Sequence, residues 1–322
     1  MTSPLLTMKS LWHKKHVVVT GGTGFVGSVL VERLLQEGAH VRVPIRSDHY
    51  RALSKKRSEI EWLEGDLRES EYCERLLDDT DHLFHLASHR RNTEFHRKHC
   101  SDVLSGNVEM SLALIHALGK RSSTAVTFFS SANVPQALDV IAAMQAEHID
   151  GFILGKAMSE ALWTTASRQH GFPLLIVRPV GTYGPRDTFS KDANVIPSLM
   201  MKARESRDAL VVWGSGEQKR VFLYADDLVS ATLTLIENDA RGIQYVAPPD
   251  MVTIKDLATR IRDIVQPDLP LIFDTSKPEG SRAIAELPTH PCLENFAWLP
   301  LTEGLKKTYE GWNERGRERN AN

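Results

Sequence analysis

Three glycines spaced three apart, two adjacent serines and one helical lysine carry most of the chemistry written in this 322-residue chain. Gly21, Gly24 and Gly27 follow the apolar run Val17-Val18-Val19 and lead through Thr23, Phe25 and Val26 into the helically spaced Val29, Leu30, Arg33 and Leu34. A turn of this kind, set between a strand and a helix, aims backbone N–H groups at a pyrophosphate. Gly21 lets the chain turn, Gly24 admits the ligand close to the backbone, and Gly27 lets the helix pack on the strand. The spacing G-x-x-G-x-x-G departs from the G-x-G-x-x-G fingerprint, so its weight comes from the strand and helix around it.

Further reactive residues fall at the ends of other apolar runs. Arg46 closes the run from Val41; a carboxylate there would hold a ribose 2′-hydroxyl and select NAD, whereas a guanidinium pairs with the 2′-phosphate of NADP. Asp66 and Leu67 follow Ile60-Glu61-Trp62-Leu63, and Asp66 is placed either to accept from an adenine amino group or to cap the next helix. Leu86, Ala87 and Ser88 end the run from His82 in small residues, as close passage of backbone and ligand requires. Ser130 and Ser131 follow Ala125–Phe129, where the active sites of α/β proteins lie. Lys156 sits in a helix that starts near Phe152 and points into the cleft or into solvent; spacing does not decide.

Later in the chain, Trp213 precedes Gly214-Ser215-Gly216 and either stacks on a nucleotide base or fills a core. Arg220, beside Lys219, can grip a diphosphate bidentately. Asn107, inside the helical pattern Val103–Leu118, needs hydrogen-bond partners if buried. The patch His89–His99 is rich in histidine and arginine, and His96 and His99 share a helical face. No carboxylate or cysteine completes a ligand set, so phosphate steering or a solvated loop is the reading and no metal is expected. Arg51, Lys55, Lys56 and Arg57 continue a basic run from Arg46 that serves equally as a solvated helix face.

The elements that must hold these residues alternate strand and helix from Val17 to Arg178, which defines a doubly wound parallel sheet, the Rossmann form of α/β. We expect residues 1–180 to be mainly a dinucleotide-binding domain. Residues 181–322 then form mainly a smaller C-terminal substrate-binding lobe, with the chain crossing back between the two. Hydrophobic residues at 42% and charged residues at 25% are globular values, and a net charge of −2 gives no general attraction to nucleic acid or anionic membranes. Cys73, Cys100 and Cys292 are far apart, which argues against a disulfide framework and fits a cytoplasmic setting. No run approaches the ~20 apolar residues of a membrane span.

Taken together, Thr20–Gly27, Gly65-Asp66-Leu67, Phe84–Ala87, Ser130-Ser131-Ala132, Gly155-Lys156, Arg178-Pro179, Tyr183-Gly184-Pro185 and Arg220–Leu228 resemble the extended short-chain dehydrogenase/reductase family of NAD-dependent nucleotide-sugar epimerases, dehydratases and reductases. Within it, Val195-Ile196-Pro197, Val212–Gly216 and Asp274–Gly280 are most similar to GDP-L-fucose synthases. The resemblance implies a bound NADP, with NAD as the alternative, and a nucleoside-diphosphate sugar as substrate. It also implies a homodimer built on the helices Val103–Leu118 and Phe152–Gln169. By the same resemblance Ser131, or Ser130 one register away, bonds the sugar C4 oxygen, and Lys156 binds the nicotinamide ribose. Pro179 lines the cofactor, and Asn194, Val195, Trp213, Arg220 and Arg282 hold the substrate.

Departures from the family pattern narrow the reaction. The family's proton donor is a tyrosine four residues before the lysine, and Phe152 stands there. Loss of the hydroxyl leaves three readings: a replacement introduced to trap ligand, an enzyme that uses Ser131 or water, or a protein without redox chemistry. Tyr183 and His148 are substitutes only if the fold brings one to the C4 oxygen. Ala132-Asn133 cannot shuttle the protons of a 4,6-dehydration. Ala132, Asn133 and Arg186 also replace the cysteine and histidine of 3,5-epimerisation. Hydride transfer at C4 survives, either as reduction of a GDP-linked 4-keto sugar or as 4-epimerisation. A non-catalytic dinucleotide sensor or partner subunit is the reading from a different class.

Overall fold

The valine run forms β1 (His16–Thr20), and Val17 to Thr20 are buried, as a strand covered on both faces must be. The computed structural model describes residues 10–46, 58–89, 95, 98–119, 123–134, 150–190, 193–277 and 287–320. After β1 come α1 (Phe25–Gln36), β2 (His40–Ile45), β3 (Ile60–Glu64), α2 (Ser70–Leu76), β4 (His82–His85), α3 (Cys100–Leu118), β5 (Ala125–Phe129), α4 (Gly151–His170) and β6 (Leu174–Pro179). The chain then builds β7 (Gly181–Tyr183), α5 (Val195–Glu205), β8 (Leu210–Trp213), β9 (Lys219–Arg220) and β10 (Phe222–Tyr224). It returns through α6 (Ala225–Glu237) and β11 (Gly242–Val246), and ends with β12 (Val252–Thr253), α7 (Ile254–Val265), β13 (Leu271–Asp274) and α8 (Leu301–Asn320).

The central sheet has seven strands in the order β11-β6-β5-β4-β1-β2-β3, and every pairing in it is parallel. Sequence order therefore reverses between β1 and β4, and the crevice beyond their C-terminal ends is the topological switch point where such sheets bind ligands. α1 and α6 cover one face with Leu30, Leu34, Leu228 and Leu233, while α2, α3 and α4 cover the other with Tyr72, Leu114 and Trp163. A third cluster, with Leu199, Met200, Leu257, Ile261 and Leu305, holds α5, α7 and α8 around Tyr183 and Tyr224. Each such side chain contributes roughly 1.5–3 kcal/mol on full burial.

Two local features set up the crevice. α4 starts where the Asp150 side chain accepts from the N–H groups of Phe152 and Ile153, and it stops at Gly171 with φ 80°. Gly151 brings it hard against α3, since a Cβ there would lie 2.1 Å from the carbonyl oxygen of Cys100. The strand expected over His82–Ser88 ends earlier, at His85. There the Leu86 N–H turns to the Thr20 carbonyl at 3.2 Å and the Ala87 N–H to Thr20 Oγ1 at 3.1 Å, so the chain leaves the sheet beside the glycine turn.

Candidate active site

The glycine turn stands at the mouth of the crevice. Gly21 adopts φ +71°, and a Cβ on it would sit 2.7 Å from the Ala87 nitrogen. A Cβ on Gly27 would meet the Gly21 carbonyl oxygen at 2.1 Å, so only glycine lets α1 start this close to β1. The N-cap of α1 is Gly24, which supplies no side-chain cap hydrogen bond. The turn through Thr23 and the first-turn residues Phe25 and Val26 therefore present a helix N-terminus with no side-chain cap among the described residues, which fits a pyrophosphate.

Thr20 and His85 pair at the ends of β1 and β4, beside the turn. Thr20 Oγ1 accepts from the Ala87 N–H and shares a hydrogen bond of 2.8 Å with His85 Nδ1. Burial holds His85 neutral, with its pKa pushed down to about 3, and Lys156 adds to the effect. Asn107 is buried on α3 and finds the partners its burial requires: Oδ1 accepts from Ser88 Oγ and the His89 N–H, both at 2.9 Å, and Nδ2 donates to Val103 O at 2.7 Å. Leu86, Ala87 and Ser88 are thus held from both ends.

Lys156 points inward. It is 4% exposed, and Nζ donates to the Phe129 carbonyl at 2.7 Å, at the end of β5 and beside the serines. The rings of Phe128 and Phe152 lie 4.7 and 5.9 Å from the ammonium, distances at which a ring face attracts a cation. Ser131 Oγ accepts from the Asn133 N–H at 3.2 Å. The Ser130 hydroxyl is buried with no hydrogen-bond partner among the described residues. An orphaned buried hydroxyl one residue beyond the Phe129 carbonyl that Lys156 holds is a group a polar ligand could satisfy.

Arg46 is exposed at the close of β2. Asp66 is not the cap of α2, whose N-cap is Glu69. Its carboxylate instead accepts from Arg68, through the backbone N–H at 2.9 Å and Nη2 at 2.6 Å, and that pairing holds its pKa below the usual carboxylate range. Leu67 is buried beneath. Pro179 closes β6, and its carbonyl accepts from Ala132 at 3.0 Å, tying the serine turn to the strand.

On β8, Trp213 is 53% exposed, which rules out the core reading, with Lys202 and Lys277 against its ring at 5.2 and 5.9 Å. Arg220 is half-buried on β9, and desolvation lowers its pKa. Asn194 and Val195 are exposed at the start of α5. Arg282, His96 and His148 lie outside the described residues, as do 51–57 of the basic run. Among the described residues no three His, Cys, Asp or Glu side chains are grouped to hold a metal ion.

The substitute Tyr183, which ends β7, is not available as an acid in the crevice. Tyr183 is 2% exposed in the third cluster, edge-on to Tyr224 and pressed on Gly304, and burial pushes its phenol pKa up. Arg186 pairs with Glu32 of α1 at 2.5 Å. Sequence reasoning assigned no role to one buried pair beside the site. Glu160 and Arg178 are 6% and 5% exposed and meet through two hydrogen bonds of 2.9 and 2.5 Å. The available signal was spacing: Glu160 lies one helical turn beyond Lys156, on the same face.

A parallel sheet with a glycine turn at its switch point, and a buried lysine beside a serine turn, defines a Rossmann protein of the short-chain dehydrogenase type. The chain belongs to the NAD dependent epimerase/dehydratase family, whose model matches residues 17–247. It is 27% identical over 313 residues to a dTDP-4-dehydro-6-deoxy-D-allose reductase of a Streptomyces species, covering 92% of this chain and 96% of that one. A probable GDP-L-fucose synthase of Oryza sativa subsp. japonica is 33% identical over 156 residues, covering 45% of this chain and 47% of its own. The fold is shared with the crystal structure of UDP-glucose 4-epimerase with UDP-glucose from Thermotoga maritima, at a TM-score of 0.78 and 22% identity over 93% of this chain and 99% of that one. Among the described residues no helix is long and apolar enough to cross a membrane.

Proposed function

We propose that the chain is an NADPH-dependent reductase of a nucleoside-diphosphate-linked 4-keto sugar, with a GDP-linked sugar as first choice. The observation that carries this reading is the convergence of the inward-pointing Lys156, the Ser130-Ser131 turn and the glycine turn at one end of the sheet. The reductase relative, matched over nearly the whole length of both chains, supports it. Arg46, where an NAD-selective site has a carboxylate, favours NADP.

The dinucleotide, when bound, supplies the hydride that reaches C4 of the sugar. The chain's own residues do the rest. The first turn of α1 takes the pyrophosphate, and Lys156, anchored on Phe129 O, meets the ribose. Ser131 holds the carbonyl oxygen at C4, and its hydroxyl passes that oxygen a proton and regains one from water. Trp213 lies against the base and Arg220 against the diphosphate. The partly buried Leu104, Val108 and Leu112 of α3 and the exposed Met158 of α4 offer an apolar face for a homodimer.

Phe152 favours a second reading, a dinucleotide-binding sensor or partner subunit, because the ring beside Lys156 carries no hydroxyl. Restoring the tyrosine separates the two. Phe152→Tyr places a phenol next to the ammonium, and a positioned general acid contributes roughly 10²–10⁴-fold. We expect a gain in kcat of that order with 4-keto sugars. Absence of turnover in both the chain and Phe152→Tyr would leave the sensor reading standing.

A further inference from the structure

We infer that Arg178 is a positioning residue that fixes the Ser131 turn against the helix carrying Lys156. This rests on the reading that Ser131 holds the sugar oxygen. One side of the guanidinium is committed to α4: Nε donates to Glu160 Oε1 at 2.9 Å and Nη2 to Oε2 at 2.5 Å. The other side is committed elsewhere. Nη1 donates to the Val134 carbonyl at 3.3 Å and to the Tyr245 hydroxyl, on the edge strand β11, at 2.8 Å.

The placement of the partners gives the pair its meaning. Glu160 follows Lys156 by one turn, so whatever fixes Glu160 fixes the height of Lys156 above Phe129. Val134 ends the turn that Ser131 begins, and its own N–H returns to the Ser131 carbonyl at 3.1 Å. The next residue on β6, Pro179, accepts from Ala132 within the same turn. A planar fork can serve three elements at once because its donors point in fixed directions, whereas an ammonium on a flexible stem cannot. Arg178 therefore sets the separation between Lys156 and Ser131 without facing the crevice itself. Charge alone does not explain it, since a point charge would satisfy Glu160 and leave Val134 O unheld.

Arg178→Lys keeps the charge and removes the fork, and Glu160→Gln keeps the shape and weakens the grip. Two readouts apply to the full-length chain. Amide hydrogen exchange of Ala132 and Val134 should rise at least about tenfold in Arg178→Lys, while Val126 to Phe129 of β5 keep their protection. With a 4-keto sugar, kcat should fall by roughly 100-fold, the scale set by a misplacement of about 1 Å, while KM for the dinucleotide stays within about twofold. Glu160→Gln should show the same pattern more weakly. Exchange that rises equally in β5 and the turn, or kcat unchanged with the turn loosened, would overturn the inference. A parent chain with no turnover would sink the reductase reading alone, since the exchange pattern still decides whether Arg178 holds the turn.

Discussion

Gly27→Ala tests the cofactor cradle where its geometry is tightest. The added methyl would sit 2.1 Å from the Gly21 carbonyl oxygen, 2.7 Å from the Gly21 carbonyl carbon and 3.0 Å from the Gly22 Cα, all of them backbone atoms. Ordinary contact begins at 3.4 Å, so α1 and the glycine turn must part by roughly 1 Å, a strain of about 1–3 kcal/mol. The same parting moves the first-turn N–H groups off a pyrophosphate. Losing one charge-assisted hydrogen bond costs about 1.5–3 kcal/mol, which is roughly a 10- to 150-fold rise in Kd. The assay is titration of NADPH into the folded variant by calorimetry, with urea unfolding alongside. Gly171→Ala is the control: its φ of +80° strains alanine, yet nothing lies within 4 Å of the added methyl. It should lose about 1 kcal/mol of stability and no NADPH affinity. Parental NADPH affinity in Gly27→Ala would refute the placement of the pyrophosphate.

Three further outcomes follow from the same geometry. His82 and His85 are buried with pKa values pushed down to about 3 from an ordinary 6.5; the unfolded chain binds protons that the native fold refuses, so stability falls as pH drops below about 6.5, by up to roughly 1.4 kcal/mol per pH unit for each histidine. Urea midpoints between pH 7 and 5 measure this, and a flat profile would contradict the burial of both rings. Arg46→Ala should cut the preference for NADPH over NADH by roughly 10- to 150-fold, the worth of one charged hydrogen bond, as read from the two Kd values; an unchanged ratio would remove Arg46 from the 2′-phosphate. Trp213→Ala should weaken nucleoside diphosphate binding by about 1–3 kcal/mol, the worth of one base stacked on an aromatic ring, while leaving NADPH affinity intact. Equal losses for both ligands would place Trp213 elsewhere.

What could be read from the chain alone follows the range of the interactions. Val17–Val19 and Gly21, Gly24 and Gly27 are legible because a buried strand and a close helix start each dictate residue type locally. The alternation of strand and helix carries the sheet, and the resemblance carries the direction of Lys156, which helical spacing leaves open. Side chains whose fate depends on which partner the folded backbone brings to them were not legible. Asp66 is claimed by Arg68 rather than by the cap of α2, and Arg186 by Glu32 of α1. Trp213 is exposed because β8 turns alternate residues outward. Glu160 and Arg178 find each other only when α4 lies on β6.

The central claim is hydride transfer to a sugar carbonyl, and its most direct measurement is stoichiometry. The chain and its Phe152→Tyr form, incubated with NADPH and a panel of GDP-, dTDP- and UDP-linked 4-keto sugars, should oxidise one NADPH for each 4-hydroxy sugar formed. Interconversion of 4-hydroxy epimers without net NADPH oxidation, or no product from either form, would contradict the account.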